Sequence, residues 1–574
     1  MKQGKCFVIG LDGATFDLIK PWVKDGKLPN MARIMNEGVH GVLQSTIPPI
    51  SAPAWSSFIT GKNPGKHGIF DFTQHIEGSY KVRFTNASLR NGKSIWRILS
   101  DVNKKVGVIN VPMTYPPEKV NGFIISGADS PGVNSNFVYP PEVYKEIREN
   151  IGEYIIEAGL YSFIGKGDID LAVQRQMETI EKHFEVTKYL MEKYPWDFFT
   201  VVFTATDRVQ HAFWKYMDTE HPLFKPEEGK KYGGVILKIY ERLDEIIGYL
   251  MNSLDDNTTL VIMSDHGAGP SSNKTIYLNN WLHQEGLLKY KDPGGKHRGL
   301  VAHSKRILYA KLLTKTLRNI WRRMPRKNQE RIKKLFPKLW GRMASYYFFS
   351  RIDMGRTRAY AEEIRTFIWI NLKGRDPQGI VHPEEEYDSV CERITRGLKS
   401  LKDPITGEDV IEDIYKKNEI YRGDRMHNAP DMVILLKKRG FVPRPSYYVR
   451  PDVVLNHIPK KELEKLEVNI QANAQHHADG IVMFWGANVK RGQEIEHAQI
   501  IDLAPTMLYL MGVPIPIDMD GKVLVKALSE NFLENNPIEY TSDVETKPPD
   551  SERIDYSEAD EEKIGERLKD LGYL

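Results

Sequence analysis

The chain has 574 residues, 41% of them hydrophobic and 27% charged, with a formal net charge of +4 and two cysteines. That length exceeds one compact core, so a large domain with an insertion, or about two or three domains, is expected. Cys6 and Cys391 alone exclude a disulfide framework and a cysteine-based zinc site, the small net charge argues against a nucleic-acid polymer as partner, and no apolar run reaches the ~20 residues of a membrane span.

In chain order the first element is CFVIGL (6–11). It is too short for a signal-peptide core and Asp12 follows at once, so it reads as a strand and the protein as cytoplasmic. Further Val-, Ile- and Phe-rich runs of strand length lie in KVGVINVP (105–112), GFIISGAD (122–129), DFFTVVFTATD (197–207) and TLVIMSDHG (259–267). Helix-like segments separate them, among them LPNMARIMNEG (28–38) and VQRQMETIEKHFEVTKYLMEKY (173–194). This alternation predicts an α/β fold with a mostly parallel sheet covered on both faces and a site at the carboxyl ends of its strands. Three runs end on Asp12, Asp207 and Asp265; aspartate also favours turns, so one alone would carry no functional meaning.

The composition divides the chain into a first part of the core (1–285), a basic helical insertion or cap (286–350), a mixed α/β piece shared by core and cap (351–475), the end of the core (476–533), and an acidic linker with a short terminal helix (534–574). Within 305–342 fourteen Lys and Arg residues oppose only Glu330 and are interleaved with apolar residues such as Leu312, Trp321 and Trp340. One or two basic amphipathic helices are expected there. Their polar side is either a solvated cap face or a patch for an anionic membrane or polyanionic substrate, which would make the protein peripheral at the membrane.

The candidate chemistry begins with aspartates and histidines. Asp207 and His211 stand four apart, on one face of a helix; Asp265 and His266 end a strand; His476 and His477 are adjacent in AQHHADGIV. With Asp12 they form a pool of carboxylates and imidazoles that suits Zn²⁺, Mn²⁺ or Fe²⁺, and six ligands are enough for two metals. In SAPAWSSFITG (51–61), Pro53 reads as the first helical residue and Ser51 as its cap or the residue before. A serine at a helix N-terminus either caps it or, beside a divalent metal, serves as a nucleophile next to a bound phosphate. GKNPGKHG (61–68) lacks the spacing of a P-loop, and Trp55 stands where a sulfatase motif needs arginine.

Taken together, VIGLDGA, LPNMARIMNEGV, PPISAPAWSSFITGKNPGKHGIFDF, TDRVQHAFW, SDHGAG and QHHADGIVMFWG resemble, in order, the type I phosphodiesterase/nucleotide pyrophosphatase family of the alkaline phosphatase superfamily. TRAYAEEIRTFIWINLKGRDPQGIV (357–381) resembles hydrolases of the same branch. The resemblance implies a three-layer sandwich with an inserted cap, and two metal ions, usually zinc, with Mn²⁺ as the alternative. One ion would be held by Asp12, Asp265, His266 and Ser51, the other by Asp207, His211 and His476, four residues before Gly480. It implies in-line attack by Ser51 on the phosphorus of a phosphate ester, a covalent phosphoseryl or phosphodiester-seryl intermediate, and its cleavage by hydroxide. The family's threonine-dependent diesterases carry asparagine three residues after the nucleophile; here Ala54 occupies that place, and the arginine of the phosphatases is also missing. Arg208, Lys62 and backbone N–H groups are the expected replacements, with Trp55 beside the substrate, and a diester is the expected substrate. The alternative function is transfer of a phospho group to a lipid or glycan alcohol.

Overall fold

The computed structural model describes residues 4–291, 351–446, 449–466, 473–542 and 554–570. The basic stretch 305–342 lies outside the described residues. Among them, no helix is long and apolar enough to cross a membrane.

The core is a nine-stranded sheet built from β1 (Lys5–Leu11), β2 (Val39–Gln44), β3 (Val106–Val111), β4 (Gly122–Ser126), β5 (Val138–Tyr139), β6 (Phe198–Phe203), β7 (Thr258–Met263), β8 (Asp479–Gly486) and β9 (Gln493–Gln499). Its order is β9-β2-β8-β7-β1-β6-β3-β4-β5. The central block β7-β1-β6-β3-β4 is wholly parallel; β8 and the edge strand β5 run against it. The five central strands are apolar along nearly their whole length because both faces are covered. Phe7, Ile9 and Leu11 of β1 enter one core while Cys6 and Val8 enter the other, and β6 divides Phe199 and Val201 from Phe198 and Val202 in the same way.

Helices Ile169–Lys193, Ala205–Met217 and Val235–Ser253 cover the first face through residues such as Leu190, Phe213 and Leu243. Helices Ser51–Thr60, Ile95–Asp101 and Leu503–Leu510 cover the second through Phe58, Trp96 and Met507. These layers form the expected sandwich.

A third core belongs to a cap. Its four-stranded sheet runs Ala359–Glu362, Phe367–Ile370, Met432–Leu436, Ile411–Lys416 in spatial order and is backed by helix Glu385–Lys399. Ile276, Leu278, Trp281 and Leu282 pack into this core, so the cap begins near residue 274, ahead of the expected boundary at 285. The cap rests on the segment that leads to Ser51: Tyr421 donates its hydroxyl to the Ile47 carbonyl (2.6 Å) and packs edge-on to Phe70, and Arg365 pairs with Asp71 at 2.7 Å. A terminal helix, Glu558–Asp570, docks on the sandwich: Ile564 and Leu568 are buried in the first core.

Within the cap, buried Glu363 accepts hydrogen bonds from the backbone N–H groups of Ser446 (2.7 Å) and Asn279 (3.2 Å). Burial pushes its pKa from 4.5 up to about 7. The native state therefore keeps a proton that the unfolded chain has released, and stability falls as pH rises from 4.5 to about 7. Glu363→Gln is expected to flatten that slope, worth on the order of 3 kcal/mol, in denaturant unfolding at about pH 5 and about pH 7.5. An unchanged slope would place the titration elsewhere.

Candidate active site

The sheet topology assembles the site. Asp12 directly follows β1, and Asp265 and His266 follow the adjacent parallel strand β7 after Ser264. On the other side of β1, β6 runs into helix Ala205–Met217, which carries Asp207 and His211 one turn apart. Gly13 permits the close approach: it has φ +67°, its N–H donates to Asp265 Oδ1 at 3.1 Å, and a Cβ there would stand 3.0 Å from Asp207 Oδ1. His476 comes from strand Ala474–His477, which pairs antiparallel with Gly267–Pro270 so that His476 lies opposite Ala268. Its ring then stacks on His266 with centroids 3.6 Å apart. Gly267 makes room for this strand, since a Cβ at 267 would meet His477 Cε1 at 2.4 Å.

Ser51 is the first residue of helix Ser51–Thr60 and Ile50 is its N-cap, so the expected cap at Ser51 and the expected helix start at Pro53 are both displaced. The extended backbone of Ile50 begins the helix with no side-chain cap bond, and the Ser51 hydroxyl instead lies 3.1 Å from His266 Nε2.

Ligand atoms of Asp12, Asp265 and His266 lie within 4.8 Å of one another, as do those of Asp207, His266 and His476. His211 Nε2 is 3.2 Å from Asp207 Oδ1, and His476 Nε2 is 3.3 Å from the same oxygen. All three histidines present the same nitrogen inward. Their Nδ1–H groups donate to main-chain carbonyls, His211 to Ala474 (3.1 Å), His266 to Gly267 (3.0 Å) and His476 to Pro49 (3.1 Å). A carbonyl can only accept, so Nδ1 carries the proton and Nε2 a lone pair.

Three observations show that this donor set fits cations. Asp12 Oδ1, Asp207 Oδ1 and Asp265 Oδ2 are buried and accept no hydrogen bond. Nε2 of His211 and of His476 stand 2.8 Å apart, where two lone pairs repel unless a cation or proton lies between them. The three carboxylates also oppose one another. Burial, then the charges of Asp265 and Asp207, hold Asp12 well above the usual carboxylate range; burial and Asp207 push Asp265 up to about 7.

Of the expected substrate contacts, Trp55 and Lys62 lie away from the cluster and Arg208 stands beside it. Trp55 is fully buried in the second core, against Gly10 and edge-on to Phe58. Lys62 lies beyond the C-terminal end of helix Ser51–Thr60, some 15 Å along it from Ser51, and pairs with Asp518. Arg208 is tied to Glu157 (2.7 Å) and Asp207 (3.0 Å) rather than offered to a phosphate. Sequence reading missed the three carbonyls that orient the imidazoles, which carry no residue signature, and the pairing of Glu157 with Arg208, 51 residues apart in the chain. His477 turns away, its Nε2 donating to the Ala268 carbonyl at 2.9 Å.

The sequence matches the family model for type I phosphodiesterase / nucleotide pyrophosphatase over residues 6–450. No curated protein matches it. Among solved structures, the chain is similar to a mutant of the alkaline phosphatase PafA (14% identity, covering 92% of this chain and 100% of that one, TM-score 0.48). It is also similar to human ectonucleotide pyrophosphatase/phosphodiesterase 5 (12%, 91% and 98%, 0.44) and its murine counterpart (13%, 92% and 100%, 0.44).

Removing an inward imidazole should separate the two neighbours. His476→Ala is expected to weaken Zn²⁺ binding roughly 100-fold or more in competition with a chromophoric chelator, and His477→Ala by less than about threefold. Equal losses would contradict the orientation described.

Proposed function

The chain belongs to the type I phosphodiesterase/nucleotide pyrophosphatase family of phosphoester hydrolases, and from that premise we propose that it cleaves phosphodiesters with Ser51 as nucleophile. The observation that carries this reading is the position of Ser51 at the head of a buried helix, its hydroxyl 3.1 Å from an inward His266 Nε2 that shares a cluster with Asp12 and Asp265. Asp12, Asp265, His266 and Ser51 would hold one divalent ion, and Asp207, His211 and His476 the other, with zinc suited to the mixed donors and manganese the alternative. When bound, such ions supply positive charge that lowers the pKa of the Ser51 hydroxyl and offsets charge on the phosphoryl oxygens.

The chain's own groups account for the remaining steps. Helix Ser51–Thr60 aims its N-terminal backbone dipoles at the place a phosphoryl oxygen would take. Ser51 Oγ attacks phosphorus in line; the Oγ–P bond forms, the bond to the departing ester oxygen breaks, and the alcohol leaves. Water then cleaves the seryl ester and regenerates Ser51. A dianionic monoester would call for a free guanidinium beside Ser51, and Arg208 is committed to Asp207 and Glu157, which favours the monoanionic diester.

The test is hydrolysis of a bis-aryl phosphodiester and of the matching aryl monoester by metal-stripped protein resupplied with Zn²⁺ or Mn²⁺. Metal-dependent turnover of the diester is expected, with a loss of roughly a thousandfold or more in Ser51→Ala. Metal content should fall only modestly in that variant, since six of the seven ligands remain. Normal turnover by Ser51→Ala would refute the nucleophile. Monoester preference would move the enzyme to the phosphatases, and product release only with an added alcohol would make it a transferase.

A further inference from the structure

Asp207 divides its two oxygens between two environments. Oδ2 receives Nη1–H of Arg208 at 3.0 Å, whereas Oδ1 faces the Nε2 atoms of His211 and His476 and accepts no hydrogen bond. Arg208 is in turn fixed by Glu157, whose Oε1 accepts from Nε at 2.7 Å. The side chains of Asp207, Arg208 and Glu157 are only 0%, 4% and 9% exposed, so water competes little for these bonds. Arg208 and Glu157 line a cavity of about 320 Å³ whose other wall is Lys563, Glu566 and Arg567 of the terminal helix. That helix has anchors besides the pair: Arg567 donates to the carbonyls of Ala128 and Ser130.

A carboxylate that has lost one oxygen to a guanidinium binds a metal through the other. One that is free can bind through both, which raises the coordination number. Zinc favours four ligands, whereas manganese accepts six readily from oxygen-rich sites. We propose that Arg208, held by Glu157, is a positioning residue that keeps Asp207 a one-oxygen ligand and so biases the site toward zinc over manganese. Sequence order supplies the economy of this arrangement, since Arg208 follows Asp207 directly on the same helix and reaches back to it. This inference rests on the metal-binding reading given above.

The experiment measures Zn²⁺ and Mn²⁺ affinities by calorimetry on the metal-stripped full chain, for wild type, Arg208→Gln, Glu157→Gln and Glu157→Asp. Thermal unfolding of each metal-free protein reports on structure. The expected result is a fall of roughly tenfold or more in the ratio of zinc to manganese affinity for Arg208→Gln. A smaller fall is expected for Glu157→Gln and partial recovery for Glu157→Asp. An unchanged ratio in Arg208→Gln would overturn the inference, whether or not the variant is less stable, because a role confined to packing lowers both affinities together. If Arg208→Gln does not fold, the Glu157 pair decides by the same ratio. Wild type that binds neither metal would refute the metal reading itself, and the inference with it.

Discussion

Mutual repulsion among Asp12, Asp207 and Asp265 is the constraint around which the rest of the molecule is arranged. Three carboxylates at no more than 2% exposure are tolerated only where protons or cations answer their charge. The protein supplies partial answers: Gly13 N–H to Asp265 and Arg208 to Asp207. It leaves one oxygen on each aspartate without a hydrogen bond. Such an arrangement costs folding stability by itself, and a bound divalent ion would convert that cost into affinity.

Holding the cluster against its own repulsion needs a rigid frame, and the parallel block provides it. β6, β1 and β7 are neighbours in register, so their ends, or the turns directly after them, deliver the three aspartates within a few ångströms. Two packed faces keep those strands from sliding. The cap adds a second restraint from above, with Tyr421 and Arg365 fastened to the segments around Ser51. The arrangement places chemistry at strand ends and tertiary reinforcement on connecting loops, the usual division in sheets of this kind.

Much of this was legible in the residues. The apolar runs announced the strands because a strand buried on both faces has no polar alternation to hide it, and the aspartates at the ends of three runs marked the site. Ser51 was readable as a residue at a helix head, but its exact place was not: Ile50, a residue without capping chemistry, starts the helix through backbone conformation alone. The surroundings of Trp55, Lys62 and Arg208 were not legible, for a common reason. Their nearness to the nucleophile or to a ligand is a nearness in sequence, whereas a helix carries Lys62 away along its axis, core packing claims Trp55 at Gly10, and Glu157, 51 positions upstream, claims Arg208. Long-range ion pairing leaves no local signature. The cap boundary was missed similarly, because residues 276–282 look like more of the core until their partners near 352–441 are known.

The pairing of strand Ala474–His477 with Gly267–Pro270 also has a consequence for how the protein is made. Asp12, Asp207, Asp265 and His266 all precede the cap in the chain, but His476 follows it. Until His476 is made the growing chain carries the acidic cluster without the strand that completes it, while the Nδ1–H of His211 lacks the Ala474 carbonyl that fixes its tautomer. Chain order therefore completes the candidate ligand cluster only once the cap has been made. Folding during elongation can build the sheet's central block early, but the cluster lacks His476 until strand Ala474–His477 is added.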